Sequence, residues 1–225
     1  MKLSQNTMNI LKNFVNINTG IVLRKTLNSE DGSKIMTIDS SGSVVGRAIV
    51  EDIFENTAPI YNLKAFLSVL DSMNSPEIDF QSEKAVIKSD TGAVATVVYA
   101  DENFIDSPKN DAQMDNFDYS FDMYAEDLCK TLSMSGILAL PHIRFTGKDG
   151  KVTLTALELN NPNTNTFDVT LGDTDKDFSV CVKKSYVDML LDGNYTVNIM
   201  DGKLAQFVNK QDTNISYFCA LQETA

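Results

Sequence analysis

Gln5-Asn6-Thr7-Met8-Asn9-Ile10-Leu11-Lys12-Asn13-Phe14-Val15-Asn16-Ile17, close to the start of the chain, has the period of an amphipathic helix. On a helical wheel Met8, Ile10, Leu11, Phe14, Val15 and Ile17 share one arc, while Gln5, Asn9, Lys12, Asn13 and Asn16 share the opposite one. The polar arc holds amides and a lysine but no carboxylate. That sets it apart in a chain whose 31 Asp and Glu outnumber 19 Lys and Arg, giving a net charge of -12, and whose first acid is Glu30. Such a face suits a polyanion that the rest of the surface repels. A solvated helix that lacks acids by chance has the same composition, so the other helices must decide between the two.

Outward from this stretch, short runs with turn punctuation predict strands over 21–27, 34–39, 44–50 and 58–61. A second helix is expected over 63–73 behind Asn62 as N-cap, with Phe66, Leu67, Val69, Leu70 and Met73 inward and Lys64, Ser68 and Asp71 outward. Strands over 77–80, 85–88 and 94–99 complete the half. A polar, acidic stretch containing Pro108 follows, which sets the expected limits: a first domain over 1–105, a connector over 106–116 and a second domain over 117–225.

The plan then restarts. Phe117, Tyr119, Phe121 and Met123 alternate with polar neighbours as a half-buried strand does, and a helix over 125–136 turns Ala125, Leu128, Cys129 and Leu132 inward. Strands follow over 143–146, 152–159, 165–171 and 178–182, the first two joined by a hairpin at Gly147-Lys148-Asp149-Gly150. A helix over 184–191 ends at Gly193 as a C-terminal cap, and strands over 195–200, 204–209 and 215–221 close the chain. Strand, helix, strands, helix, strands thus occurs twice, about 120 residues apart, the mark of a structural duplication. The fold class is α+β: two similar domains, each with two helices on antiparallel sheet. Lysines recur on all four helices, as Lys12, Lys64, Lys130, Lys183 and Lys184, against only Asp71, Glu126, Asp127, Asp188 and Asp192. Glu126 and Asp127 are explained by the dipole of a first turn. The recurrence favours a basic working face.

At 225 residues and 43% apolar, the chain can bury real cores. Cys129, Cys181 and Cys219, odd in number and set among apolar residues, suggest reduced, buried thiols. No signal peptide or membrane span is evident, so the sequons at Asn194 and Asn214 read as accidental. Catalytic patterns fail one by one. His142 is the single histidine and has no nucleophile in a recognisable motif. The run from Asp173 to Asp177 opens like a calcium loop, but Phe178 stands where glycine is needed and Lys184 where glutamate is needed. Asp118 and Asp122 lie on one side of a strand and could serve as an acid and base pair, yet the aromatic alternation already explains that strand. Neither a metal nor a cofactor is expected.

Several segments carry a family likeness: Met1-Lys2-Leu3-Ser4, Leu11-Lys12-Asn13-Phe14, Ile17-Asn18-Thr19-Gly20-Ile21, Ile60-Tyr61-Asn62-Leu63, Ala125-Glu126-Asp127-Leu128, Leu171-Gly172-Asp173 and Gly193-Asn194-Tyr195. In that order they resemble the sliding clamp of T-even-type bacteriophages, the processivity factor of the phage DNA polymerase. No single motif is a signature; their collinearity and the matching length carry the likeness. The resemblance implies a non-enzymatic ring of three two-domain chains around duplex DNA, helices lining the hole, in the host cytoplasm during infection. It assigns Lys12, Lys64, Lys130, Lys183, Lys184, Asn9 and Asn16 to DNA contact, a modest set of lysines for the family. It points to Val97, Tyr99, Phe167 and Val169 as the joint between subunits. Phe104 and Ile105, with Leu221, become a docking patch for partner peptides. The implied partners are the phage DNA polymerase, a clamp loader ATPase and late sigma-like and co-activator proteins. An acidic, β-rich virion or scaffold protein that assembles through sheet edges with no DNA inside remains the alternative.

Overall fold

In the computed structural model, which describes residues 1–28, 30, 32–161 and 163–222, the chain divides into two units, Met1–Ala112 and Gln113–Ala225. The first contains α1 (Gln5–Phe14), β1 (Ile21–Leu23), β2 (Ser33–Ile38), β3 (Val44–Val50), β4 (Ala58–Ile60), α2 (Leu63–Ser72), β5 (Glu77–Phe80), β6 (Lys84–Lys88) and β7 (Val94–Val98). The second contains β8 (Tyr119–Met123), α3 (Ala125–Ile137), β9 (His142–Lys148), β10 (Lys151–Leu157), β11 (Phe167–Asp173), β12 (Phe178–Lys183), α4 (Lys184–Val187), β13 (Tyr195–Met200), β14 (Leu204–Asn209) and β15 (Ile215–Ala220).

Both units follow one topology. In the second, a four-stranded sheet has the order β11-β10-β9-β12, while β8, β13, β14 and β15 pair in succession, all antiparallel. In the first, β3 pairs with β2 and β1 with β4, which is the same order with a break between β1 and β2, and β5-β6-β7 matches β13-β14-β15. Among the described residues the first unit has no strand matching β8. Met1 alone stands in its place, exchanging two backbone bonds with Ile78 of β5 at 2.6 and 2.7 Å.

The start of α1 is fixed from both sides. Ser4 Oγ accepts from the Thr7 N–H at 3.2 Å, as an N-cap should. Asp52, which follows β3, accepts from the Ser4 N–H at 3.1 Å, from Ser4 Oγ at 2.8 Å and from Thr7 Oγ1 at 2.5 Å. Its buried carboxylate also faces the positive end of the helix dipole. Without it these donors lose their partner, at about 1–3 kcal/mol for each one left buried and unpaired. Further along, α1 lies so close to β3 that a Cβ on Gly46 would stand 2.8 Å from Phe14 Cε1 and 2.9 Å from Ile17 Cδ1. Only glycine allows that approach. At α2, Asn62 Oδ1 accepts from the Ala65 N–H at 2.9 Å, the expected cap.

Four sequence expectations need correction. The helix from Gln5 ends at Phe14, and Asn13, expected on the polar arc, is buried together with Thr7. Strand β1 stops at Leu23, short of residue 27. The fourth helix is a single turn, Lys184–Val187, because Leu191 is claimed by two buried tyrosines: its N–H donates to Tyr217 Oη at 3.3 Å and its carbonyl accepts from Tyr195 Oη. Burial raises the pKa of both phenols, so they keep their protons. Gly193 therefore caps no helix; it leaves room for Asn209, whose Nδ2 would lie 2.6 Å from an added Cβ. Finally, Cys129 is exposed on α3, while Cys181 and Cys219 are buried. The hairpin between β9 and β10 turns as expected, with Asp149 and Gly150 both at positive φ.

Candidate nucleic-acid interface and assembly edges

Along α1 and the turn that follows it, Gln5, Asn9, Lys12 and Asn16 form an exposed stripe, with Gln5 Nε2 donating to Asn9 Oδ1 at 2.9 Å. Beside it α2 exposes Lys64, Ser68 and Asp71 at helical spacing. Neither helix carries an acid in its first turn. The stripe is not free of carboxylate, however: Lys12 Nζ bonds Asp71 Oδ1 of α2 at 2.8 Å. Sequence patterning could not foresee this, because it treats each helix alone.

The second unit repeats the theme. Lys130 is exposed on α3. Lys183, exposed at the N-cap of α4, holds its ammonium 5.5 Å from the centre of the Tyr186 ring. Lys184 pairs with Asp188 one turn on. The five expected lysines thus fall into two groups: among the described residues Lys64, Lys130 and Lys183 make no ion pair, whereas Lys12 and Lys184 each hold an aspartate.

Both strands expected at a joint are edges. Strand β7 is the last of β5-β6-β7 and β11 the first of β11-β10-β9-β12. On β7, Val94 and Val98 are exposed and Val97 is half-buried; on β11, Phe167 and Val169 are half-buried. Backbone direction refines the choice of residue. The Tyr99 N–H donates to Glu83 O at 3.0 Å, and Ser89 bonds Ala93. By the alternation of an antiparallel ladder, Ala95, Val97 and Tyr99 point their N–H groups at β6, and Thr96 and Val98 point theirs outward. Tyr99 also has a buried hydroxyl with no hydrogen-bond partner among the described residues. Burial, helped by the Asp79 charge, pushes its pKa up to about 12.

The segment after β7 is fastened to the first unit. Arg24 pairs with Glu102 at 2.7 Å, Asn18 Nδ2 donates to Asp106 O at 2.9 Å, and Asp111 bonds both Lys34 (2.5 Å) and Arg47 (2.8 Å). Burial works to raise the Asp111 pKa, but the hydrogen bonds of Arg47 and Lys34 hold it below its ordinary value. The first half of the expected connector is therefore not a loose tether. Just before it the Phe104-Ile105 pair is divided: Phe104, in the short 3-10 helix Glu102–Phe104, is 74% exposed, whereas Ile105 is 7% exposed and packs against Gly20. Ile105 is thus a core residue and not part of an exposed patch. Leu221, just past β15, is half-buried.

The groups with the means for catalysis have structural roles. His142 Nδ1 lies 3.4 Å from the Leu159 N–H, which donates to it, and 3.7 Å from Glu158 Oε1, so these neighbours hold the ring in place. Burial pushes the Cys181 thiol up to about 11, leaving it protonated and a poor nucleophile. Asp122 binds Lys210 and Thr196, and Asp118 accepts from the Asp201 N–H, so the two carboxylates have separate partners. Among the described residues, no helix is long and apolar enough to cross a membrane.

Two units of one topology, each joining helices to antiparallel sheets, define a DNA-clamp fold. A solved structure of A. fulgidus PCNA with the C-terminal region of FEN-1 bound matches with a TM-score of 0.69, covering 97% of this chain and 95% of that one at 12% identity. The fold is therefore shared far beyond detectable sequence likeness. No protein-family model matches the chain. Among curated proteins, the sliding clamp of Vibrio phage KVP40 is 30% identical and covers 99% of both chains. That of Escherichia phage RB69 is 29% identical over 99% of this chain and 97% of its own length. The chain belongs to the phage sliding-clamp family.

Proposed function

We propose that this protein closes as a homotrimeric ring around duplex DNA, without sequence preference, and tethers the phage replicative polymerase in the infected host cell. The observation that carries this is the repeated helix surface: in both units helices expose lysine, to which α1 adds amide side chains, on a chain of net charge -12. Lysines attract phosphate without reading bases, and Asn9 and Asn16 add weak, exchangeable contacts of the kind sliding needs. The acids elsewhere repel DNA, which makes placement on a duplex depend on a clamp loader ATPase. The ring closes where the edges of β7 and β11 from neighbouring copies meet, with Val97, Tyr99, Phe167 and Val169 at the joint. Partners dock short apolar peptides; late sigma-like and co-activator proteins belong to the same group of clients. The loaded protein should stay on a closed duplex circle through a salt wash and leave once a restriction enzyme opens that circle. Equal retention before and after cutting means that the protein does not encircle DNA, and favours a virion or scaffold role.

Phe104 and Leu221 are the proposed peptide anchors, each taken singly. Phe104 is a large apolar side chain left exposed among acids, in a segment already fastened by ion pairs. Phe104→Ala and Leu221→Ala should each weaken binding of a polymerase C-terminal peptide about tenfold or more, the loss of an anchor worth about 1.4 kcal/mol, with little change in melting temperature. Fluorescence polarisation of a labelled peptide reads the affinity. Unchanged affinity for both variants places the docking groove elsewhere. Ile105, being core, should instead lower the melting temperature when cut back to alanine.

A further inference from the structure

The division of the helix lysines into two groups has a mechanical meaning. Lys12 is held by Asp71 and Lys184 by Asp188, and each of these pairs is formed within one unit. Asp71 belongs to the exposed stripe of α2 that also holds Lys64. Asp188 stands at the end of α4, four residues from Lys184. Both carboxylates are exposed, so they gain little stability for the protein; surface pairs of this kind contribute at most modestly. A stabilising role does not account for their placement on the one surface where a lysine has another use.

We infer that Asp71 and Asp188 are built-in competitors for DNA phosphate, which occupy Lys12 and Lys184 and so set a loose grip on the duplex. The inference rests on the DNA-facing assignment made above. A phosphate that approaches Lys12 must displace Asp71 and then lies beside a carboxylate with no partner. Two unit charges about 4 Å apart in water interact by about 1 kcal/mol, so each aspartate opposes a phosphate contact by about fivefold in affinity. Lys64 and Lys130, which hold no acid among the described residues, bear the firmer contacts. The lysine set is therefore graded: some cations are always available, and others exchange between an internal anion and a passing phosphate. Exchange between near-equivalent partners flattens the energy between one position on DNA and the next, which favours sliding over fixed attachment.

The test replaces the carboxylates by amides of the same shape. Asp71→Asn and Asp188→Asn should each tighten binding of the whole protein to a short, open-ended linear duplex about fivefold at low salt, read by fluorescence anisotropy. The gain should shrink as salt screens the exposed charges. One-dimensional diffusion of the double variant on stretched DNA should be slower than that of the unaltered protein. A melting temperature close to the original is expected, since the pairs contribute little. Lys64→Glu and Lys130→Glu serve as the parallel arm. If these weaken binding but the aspartate variants leave it unchanged or weaker, the competitor role is wrong while the DNA-facing assignment stands. If the two lysine reversals have no effect either, the DNA-facing assignment itself fails.

Discussion

Replacement of Lys12, Lys64, Lys130, Lys183 and Lys184 together by glutamate is expected to abolish retention on DNA and processive synthesis while leaving the protein folded. All five stand at helix surfaces, and none supplies a core contact. Each lysine that leaves a phosphate removes close to one unit from the salt dependence of binding, and each glutamate in its place adds repulsion of about 1 kcal/mol at contact distance in water. Five such changes compound to a loss on the order of a thousandfold. The proper control reverses five exposed lysines on strands and their turns, Lys84, Lys88, Lys148, Lys151 and Lys203, which should cost far less. Within the helix set the single reversals should be unequal. Lys64→Glu and Lys130→Glu should do more harm than Lys12→Glu and Lys184→Glu, whose cations already carry an aspartate. Processivity on a primed template, measured with polymerase and loader, checks the set; a five-fold reversal that still supports long products assigns DNA contact to another surface.

Much of this surface is legible in the sequence, because helix periodicity is local. The polar stripe of α1, the Asn62 cap and the doubled plan depend on residues a few positions apart, and the structure keeps them with small shifts in length. What fails is whatever depends on a distant partner. Asn13 sits on the polar side of the wheel yet is buried, since α1 is pressed onto β3 at Gly46. The fourth helix looks two turns long because its apolar spacing continues, but the hydroxyls of Tyr195 and Tyr217 take Leu191 out of the helical path. The pairing of Lys12 with Asp71 spans 59 positions and two helices. Phe104 and Ile105 look alike in sequence and differ only because one of them meets Gly20. The separation of core from surface along a short irregular segment is a tertiary property, and no period announces it.

Backbone direction on an edge strand is equally invisible to sequence, and it decides the second large effect. Proline at Val97 is the natural choice from pattern alone, yet the Val97 N–H points at β6, so that change breaks the sheet from within. Thr96 is exposed and directs its N–H away from β6, toward whatever lies along the open edge. Thr96→Pro should therefore leave the β6-β7 ladder with its own donors and remove one that a neighbouring copy would use. A lost interfacial hydrogen bond costs about 1–3 kcal/mol, and the proline ring adds a clash with an incoming strand. A closed trimer carries the change at every joint, so association should weaken by at least about a hundredfold. Sedimentation across concentration reads the outcome against a protomer mass of 24.8 kDa. The expected result is a folded monomer for Thr96→Pro with a melting temperature close to that of a dissociated native chain, and a lowered melting temperature for Val97→Pro. If Thr96→Pro sediments with the same mass as the unaltered protein, β7 does not form the joint, and the exposed Val94 and Val98 beside it need another explanation.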